Sequence, residues 1–496
     1  MRQHQFGAIR SDNYVRSVRY RAYHSAFALG LAFLTGYSSI GGALTDSRLA
    51  TRSQRVVMLQ PSPRHSYSAI APDSAYARAD SAFVAPVPAA APRLFSERYW
   101  SAFADLDLPM LRESARGDTE TTFAEAMHLL AAGDGESAEN LFLVVSKQQA
   151  DVSAAVAAQV MLATTLRYEH KWTQLRDLRL TSSLSDLDKQ LTDDLERWGK
   201  AFENAERELT QFPARPVKLS LRVTPVGTPT VRVRINGEEY DFWLDTGSSM
   251  TVISSEVARE SRVVALSNDV LTVRTFAGSA PVNAAVLKRL EIGPIVLTNS
   301  PAVIIETKLM YLRSSAEGVP ARGLKVDGIL GWDVIRQFDL TMNYATGTIT
   351  LKHPLPRGFG ETAPQNLAWL GKPMVDVETK EGLKLHFMLD TGAQSTFLNG
   401  TAVEKAGAGT KSSDQKVFGI ARTGRETEQV VPFLTLNAGG KSLRLRDVIV
   451  YGPASSGLIN IDGILGSDIA QFGTLRIDAT NGVFQIGSAV TEDGAE

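Results

Sequence analysis

The spacing of hydrophobic residues divides the chain into a helical part and a strand-rich part. From about residue 99 to 210, apolar residues recur every three or four positions, as at Ala138, Leu141 and Val145. This period is typical of amphipathic helices. It predicts a helix over residues 152 to 168, another that starts near Trp172, and a long charged helix over residues 184 to 209.

From about Val217 onward the hydrophobic period changes to two. Apolar and charged residues alternate from 231 to 235, and the run ends at Asn236-Gly237. That pair is typical of a tight β-hairpin turn. A second strand is predicted over residues 238 to 244, and alternating segments continue towards the C-terminus. The second half of the chain is therefore predicted to be all β.

The N-terminal part carries a targeting pattern. Several arginines precede a continuous apolar run from 26 to 34, and small residues follow it. This order predicts a signal peptide, although it also fits an uncleaved membrane anchor or an organelle transit peptide. Residues 46 to 97 are rich in Ala, Pro and Ser and are interpreted as a flexible linker. We therefore expect the protein to be exported to the periplasm or the extracellular space.

Two segments of the helical part resemble the turn between the helices of a tetratricopeptide repeat. They lie at residues 131–142 and 167–176, and their separation of roughly 35 residues is near the period of that family. A plain helical bundle fits the pattern equally well. Either arrangement stacks helix pairs, so this part is expected to present substrates, dock a partner protein or cover a cleft.

Composition excludes several kinds of chemistry. The net charge is −2, so no bulk basic surface indicates binding to nucleic acid. There is no cysteine, which excludes disulfides, thiolate nucleophiles and cysteine-ligated zinc. The seven histidines are scattered, without the spacing of a zinc-binding helix. Neither a metal ion nor a cofactor is expected.

The β part contains two copies of one pattern. Asp-Thr-Gly occurs at residues 245–247 and 390–392, each time directly after a hydrophobic run. Downstream, Asp-Gly-Ile-Leu-Gly occurs at 327–331 and 462–466. A single Asp-Thr-Gly carries little information. Two copies with ordered landmarks predict two related β lobes.

On these motifs, the region from about residue 217 to 487 resembles the aspartic peptidases, bilobal like pepsin but with motifs closer to the retroviral type. The resemblance implies that Asp245 and Asp390 form a catalytic dyad, which shares one proton and activates a water molecule. It also implies that the hydroxyl groups of Thr246 and Thr391 bond across the lobe interface. Because both lobes belong to one chain, catalysis is not expected to require a homodimer.

The residues that follow the aspartates are predicted to support them. Gly247 and Gly392 lack side chains, which lets backbone N–H groups approach the carboxylates closely. Ser248 follows the first motif, whereas alanine follows the second. A Ser248 hydroxyl that reached Asp245 would favour its charged form. Asp390 is therefore expected to carry the shared proton more often.

A flap over the cleft is expected between each aspartate and its Ile-Leu-Gly. The candidates carry Phe276 and Gly278 in the first lobe, and Phe418 and Gly419 in the second. An aromatic residue near glycine suits a mobile hairpin tip that contacts substrate. Pepsin-like flaps carry a tyrosine that neither segment has, so both segments also fit ordinary surface hairpins.

The chain is thus predicted to be a multidomain protein of the α plus all-β class. A signal peptide or anchor (1–45) and a linker (46–97) precede an α-helical, tetratricopeptide-like domain (98–212). A two-lobed β-barrel domain follows (213–358 and 359–496). The predicted function is endopeptidase cleavage of protein or peptide substrates. The alternative is a non-catalytic peptide-binding or scaffold protein that retains a peptidase fold.

Overall fold

The computed structural model describes most of the chain from residue 98 onward. The described residues are 25–27, 98–148, 152–179, 186–275, 278–312, 318–320, 323–355, 365–369, 372–413, 416–419, 422–425, 428–451 and 459–487. The predicted linker, and the predicted export segment apart from a short strand, β1 (Ser25–Phe27), lie outside them. Within the described ranges, no helix is both long and apolar enough to cross a membrane.

Helices make up the described chain from residue 98 to 202. They are α1 (Arg98–Ala104), α2 (Leu108–Ser114), α3 (Gly117–Ala131), α4 (Gly135–Val145), α5 (Val152–Tyr168), α6 (Trp172–Asp177) and α7 (Asp186–Phe202). Asp134 caps α4, because its carboxylate accepts a hydrogen bond from the backbone N–H of Ser137 at 3.1 Å. The ring of Phe123 contacts the rings of Phe103 and Phe142 in the core between the helices.

The hydrophobic pattern predicted the limits of α5 and the start of α6 correctly, but the last helix is shorter than predicted. It ends at Phe202, and Leu209–Gln211 forms a strand, β2, that pairs with residues 296–298 of the first lobe. Pairing with a sheet edge satisfies the backbone of this segment, so it overrides the helical pattern. The two segments that resemble tetratricopeptide turns lie between α3 and α4 and between α5 and α6. A tetratricopeptide repeat remains a prediction.

The first lobe is built around a closed barrel. Strands β5, β6, β13, β7, β10 and β9 pair in that order, and β9 pairs with β5 to close a ring of six. The elements of this lobe are β3 (Val217–Ser220), β4 (Arg222–Val223), β5 (Pro229–Ile235), β6 (Glu238–Leu244), β7 (Val252–Ser254), α8 (Ser255–Glu260), β8 (Ala265–Thr275), β9 (Gly278–Ile292), β10 (Ile295–Ile305), a 3₁₀ helix (Thr307–Leu309), β11 (Tyr311–Leu312), β12 (Leu324–Lys325), β13 (Gly328–Leu330), α9 (Trp332–Ile335), β14 (Asp339–Asn343) and β15 (Thr348–Lys352).

The second lobe repeats this design. Strands β17, β18, β25, β19, β24 and β23 pair in that order, and β23 pairs with β17. Its elements are β16 (Leu367–Trp369), β17 (Pro373–Thr379), β18 (Lys384–Leu389), β19 (Phe397–Asn399), α10 (Gly400–Lys405), β20 (Lys411–Ser413), β21 (Lys416–Gly419), β22 (Arg422–Arg425), β23 (Glu428–Ala438), β24 (Lys441–Tyr451), β25 (Gly463–Leu465), a 3₁₀ helix (Ser467–Phe472), β26 (Thr474–Asp478) and β27 (Val483–Gly487). The strand β1 pairs in parallel with β21.

A five-stranded sheet joins the two lobes. Its order is β27, β26, β14, β15 and β3, so β14 of the first lobe pairs directly with β26 of the second. Across this seam the Arg476 guanidinium donates two hydrogen bonds to the Asp339 carboxylate, at 2.8 and 3.0 Å. The predicted class, helices followed by a two-lobed β-barrel region, is confirmed.

Candidate active site

Each Asp-Thr-Gly lies on a loop that leaves the end of a central barrel strand. Asp245 follows β6, and its backbone N–H donates to the carbonyl oxygen of Leu330 at 3.1 Å. Asp390 follows β18, and its N–H donates to Leu465 at 3.0 Å. The two Ile-Leu-Gly segments therefore hold the starts of the two loops in equivalent positions.

The two loops are joined by reciprocal hydrogen bonds between their threonines. The backbone N–H of Thr246 donates to the hydroxyl of Thr391 at 3.1 Å, and the reverse bond is 3.0 Å. Each hydroxyl then donates to the carbonyl oxygen before the other aspartate, Leu389 at 2.7 Å and Leu244 at 2.6 Å. All four bonds are buried, so the loops are held in one fixed relation.

Backbone donors hold one oxygen of each aspartate. Oδ1 of Asp245 accepts hydrogen bonds at 2.9 and 3.1 Å from the backbone N–H groups of the residues two and three positions later in the chain. Oδ1 of Asp390 accepts two equivalent bonds, both of 2.9 Å. The Oδ2 atoms are buried and make no hydrogen bond with a third residue of the described chain. Each aspartate thus keeps one oxygen for chemistry.

The lobes meet so closely that glycine is required between the two carboxyl groups. A Cβ atom on Gly247 would lie 2.4 Å from the Cγ atom of Asp390. Gly247 and Gly392 also supply the first of the two backbone donors in each loop. Both aspartates are almost completely buried, so their carboxyl groups interact with little screening by solvent.

Burial raises the pKa of both carboxyl groups. The pKa of Asp245 lies well above its usual range, first because of burial and then because of the neighbouring charge on Asp390. Burial raises the pKa of Asp390 as well, but hydrogen bonds to its carboxyl group and the nearby cation of Lys372 oppose the rise. Two adjacent carboxylates cannot both ionise without strong repulsion. The pair is therefore expected to hold one proton between its two carboxyl groups, and Lys372 favours the charged form of Asp390.

The Ser248 hydroxyl does not make the predicted contact with Asp245, and Ser248 supports this aspartate through its backbone instead. Its hydroxyl donates to the carbonyl oxygen of Met250 at 2.8 Å, and only its backbone N–H reaches Asp245. Because two backbone donors already occupy Oδ1 of Asp245, the side chain turns back into its own loop. Ser248 therefore gives no reason to expect the shared proton on Asp390. The surroundings of the pair favour the proton on Asp245 instead.

Lys372 is a site residue that the sequence reasoning missed. Met374 pairs with Met388 across β17 and β18, and the same register continued by two positions sets Lys372 opposite Asp390. Burial lowers the pKa of Lys372, while Asp390 acts to raise it. In the repeat, Thr228 takes the position of Lys372 in the first lobe, so an alignment of the two copies would have exposed the difference.

Two aspartates behind the loops, of which Asp333 is buried and Asp468 is partly buried, were also missed. Asp333 accepts hydrogen bonds from the backbone N–H and the hydroxyl of Thr251 at 2.9 and 3.1 Å. Asp468 binds Thr396 in the same way, at 2.9 and 2.7 Å. Burial raises the pKa of Asp333 to about 7 and that of Asp468 to about 6. Each follows its Ile-Leu-Gly by two positions, which is the signal that could have found them.

The backbone places both flap candidates at the ends of hairpin strands. In the first lobe β8 and β9 pair as far as Thr275 and Gly278, and Phe276 lies outside the described residues. In the second lobe Phe418 and Gly419 lie at the end of β21, which pairs with β22. Their contact with a substrate stays a prediction. Among the described residues, no group of three or more His, Asp or Glu side chains is arranged to hold a metal ion.

The raised pKa of Asp245 predicts a pH-dependent effect on stability. An acid whose pKa is higher in the folded state stabilises the fold below its unfolded pKa, and this stability is lost as the pH rises through the folded pKa. Asp245→Asn should therefore raise the free energy of unfolding at neutral pH, by about 1.4 kcal/mol for each unit of the pKa rise. At a pH below the ordinary aspartate value of about 3.9 the gain should vanish.

Chemical denaturation of both proteins at the two pH values measures this difference. Asp269→Asn removes an exposed carboxylate of the same lobe and serves as the control. An Asp245→Asn gain that is the same at both pH values would show that Asp245 ionises normally in the fold.

Part of each lobe matches a known protein family. Residues 231–334 and 375–469 match the family described as aspartyl protease, one segment in each lobe. Among solved structures, the chain is similar to an aspartic proteinase from Irpex lacteus, at 13% identity and a TM-score of 0.34, over 54% of this chain and 96% of that one. No curated protein matches the chain. The two six-stranded barrels form a bilobal β domain, and each barrel contains one of the matched segments.

Proposed function

We propose that this protein is an aspartic endopeptidase, which hydrolyses peptide bonds of protein or peptide substrates with a water activated by Asp245 and Asp390. One observation carries the proposal: two buried carboxyl groups lie against each other, each with one oxygen fixed by its loop and the other held by no third residue. Two buried carboxyl groups placed against each other reduce the stability of the fold, because like charges repel there. A purely structural role therefore does not explain the pair.

The asymmetry of the pair assigns the two roles. Asp390 carries the charge and acts as the general base, which takes a proton from the attacking water. Asp245 carries the proton and donates it to the carbonyl oxygen of the substrate as the tetrahedral intermediate forms. The C–N bond then breaks, the amine nitrogen receives the proton held by Asp390, and the intermediate returns the other proton to Asp245. No covalent bond to the protein is needed.

The site of action is also proposed, from the sequence of the N-terminal segment. Export fits the arginines and the apolar run over residues 26 to 34. The substrates would then be proteins or peptides outside the cytoplasm. Mass determination of the N-terminus of the mature protein tests this part, since an intact Met1 on protein recovered from the cytoplasm would contradict it.

The central test of the proposed function is cleavage of a denatured protein substrate. Wild-type protein is expected to cut casein between acid and neutral pH. Asp245→Asn and Asp390→Asn should each lose at least about a thousandfold in rate, because the two residues act as a unit. Asp269→Asn, which removes an exposed carboxylate, should retain the wild-type rate. A folded wild type that cuts nothing across this pH range would instead favour the peptide-binding alternative.

Lys372 provides a second test, with a sign fixed by electrostatics. A cation near Asp390 stabilises the carboxylate, so Lys372→Met should raise the pKa of the first ionisation of the pair. The acid limb of the kcat/KM profile should move to higher pH, since the singly ionised pair is the active form. Lys384→Met, on the exposed face of β18, is the matched control. An unchanged acid limb in Lys372→Met would remove Lys372 from the active site.

A further inference from the structure

The helical region contacts both lobes. On the side of the first lobe, Arg336 donates to the carbonyl oxygen of Tyr168, and its guanidinium carbon lies 5.9 Å from the centre of the Tyr168 ring. On the side of the second lobe, the backbone N–H of Asn460 donates to Ala104 at 2.7 Å, and its side-chain amide donates to Asp105 at 2.8 Å. Buried apolar residues of the helices and of both lobes form one hydrophobic core.

Tyr168 reaches the loop that carries Asp245. Its side chain is 3% exposed, and its hydroxyl makes a hydrogen bond with Ser249, which lies four residues after Asp245. Burial raises the pKa of Tyr168 to about 12, so the hydroxyl keeps its proton at neutral pH. The equivalent residue of the second lobe is Gln394, and its buried side-chain oxygen has no partner among the described residues. Through Tyr168, the helical region therefore braces the loop that carries Asp245.

Charged groups are buried at the same contact. Arg167 lies 4.5 Å from the centre of the Trp198 ring within the helices, and it interacts electrostatically with Asp333 of the first lobe. Burial, and then the nearby arginines, lower the pKa of His170 to about 3. His170 is therefore neutral, and its 3.6 Å contact with Glu208 is not an ion pair at neutral pH. Separating the helices from the lobe would break electrostatic contacts of buried charges, which is costly.

We infer that the helical region is a permanent clamp across the two lobes, and that Tyr168 is a positioning residue for the Asp245 loop. The clamp differs from a removable pro-segment, because it holds Ser249 and Asn460 and, within the described residues, makes no hydrogen bond to the free oxygens of the dyad. The positioning part rests on the proposed peptidase function, whereas the clamp part does not.

The clamp is tested by cutting the chain where it crosses to the lobes. A recognition site for a sequence-specific protease is inserted between Glu206 and Arg207, which are exposed in the segment between α7 and β2. After cleavage, the two fragments should elute together in gel filtration under native conditions and separate only in denaturant. Fragments that separate without denaturant would overturn the clamp.

The role of Tyr168 is tested with two matched substitutions. Tyr99 is also 3% exposed, but its hydroxyl donates to Glu120 at 2.8 Å within the helical region. Tyr168→Phe and Tyr99→Phe should each lose one buried hydrogen bond and a similar amount of thermal stability. Only Tyr168→Phe should lower kcat, by about fivefold for one ordinary hydrogen bond, with KM unchanged. Equal kcat values for the two variants would overturn the positioning role.

A second readout needs no activity. A looser loop in Tyr168→Phe admits water to Asp245 and reduces the rise of its pKa. The loss of unfolding free energy between acid and neutral pH should therefore be smaller in Tyr168→Phe than in Tyr99→Phe, and an equal loss would contradict the positioning role.

An inactive wild type whose cut halves stay together would refute the proposed function alone. An active wild type whose halves separate would refute the clamp alone.

Discussion

The structure depends on the reciprocal hydrogen bonds between Thr246 and Thr391. Each threonine ties its own loop to the backbone just before the aspartate of the other lobe. These bonds hold the two buried carboxyl groups so close that both cannot be charged, which is why they share one proton. The central sheet, with the pair of Arg476 and Asp339 across its seam, holds the same two lobes at a distance from the loops.

A symmetric repeat is made asymmetric by the neighbours of each copy. In the second lobe, Lys372 lies beside Asp390 and favours its charged form. In the first lobe the same position is Thr228, whose hydroxyl donates at 3.4 Å to the carbonyl oxygen of Gly392 across the interface. The helical region adds a further difference, because Tyr168 makes a hydrogen bond with Ser249 of the first loop, whereas the side-chain oxygen of Gln394 in the second loop has no partner among the described residues. Two identical tripeptides can therefore take different roles in one reaction.

The sequence predicted those features that local pattern determines. The hydrophobic periods located the helices and strands, and the repeated motifs located both loops and the strands that hold them. The end of α7 was not predictable from periodicity, since Leu209–Gln211 pairs with a lobe that is distant in sequence. The direction of the Ser248 hydroxyl and the contact of Tyr168 with Ser249 depend on tertiary packing. Such contacts leave no local signal in the sequence.

The central claim is that Asp245 and Asp390 are so close that they hold one proton between them. Infrared difference spectroscopy between wild-type protein and Asp245→Asn tests it directly, at a pH well above the ordinary aspartate pKa of about 3.9. The difference spectrum should contain the C=O stretching band of one protonated carboxyl group that the variant lacks, whereas bands of Asp333 and Asp468 are common to both proteins and should cancel. A difference spectrum that contains only the bands of an ionised carboxylate would show that both aspartates are charged, and would contradict the account.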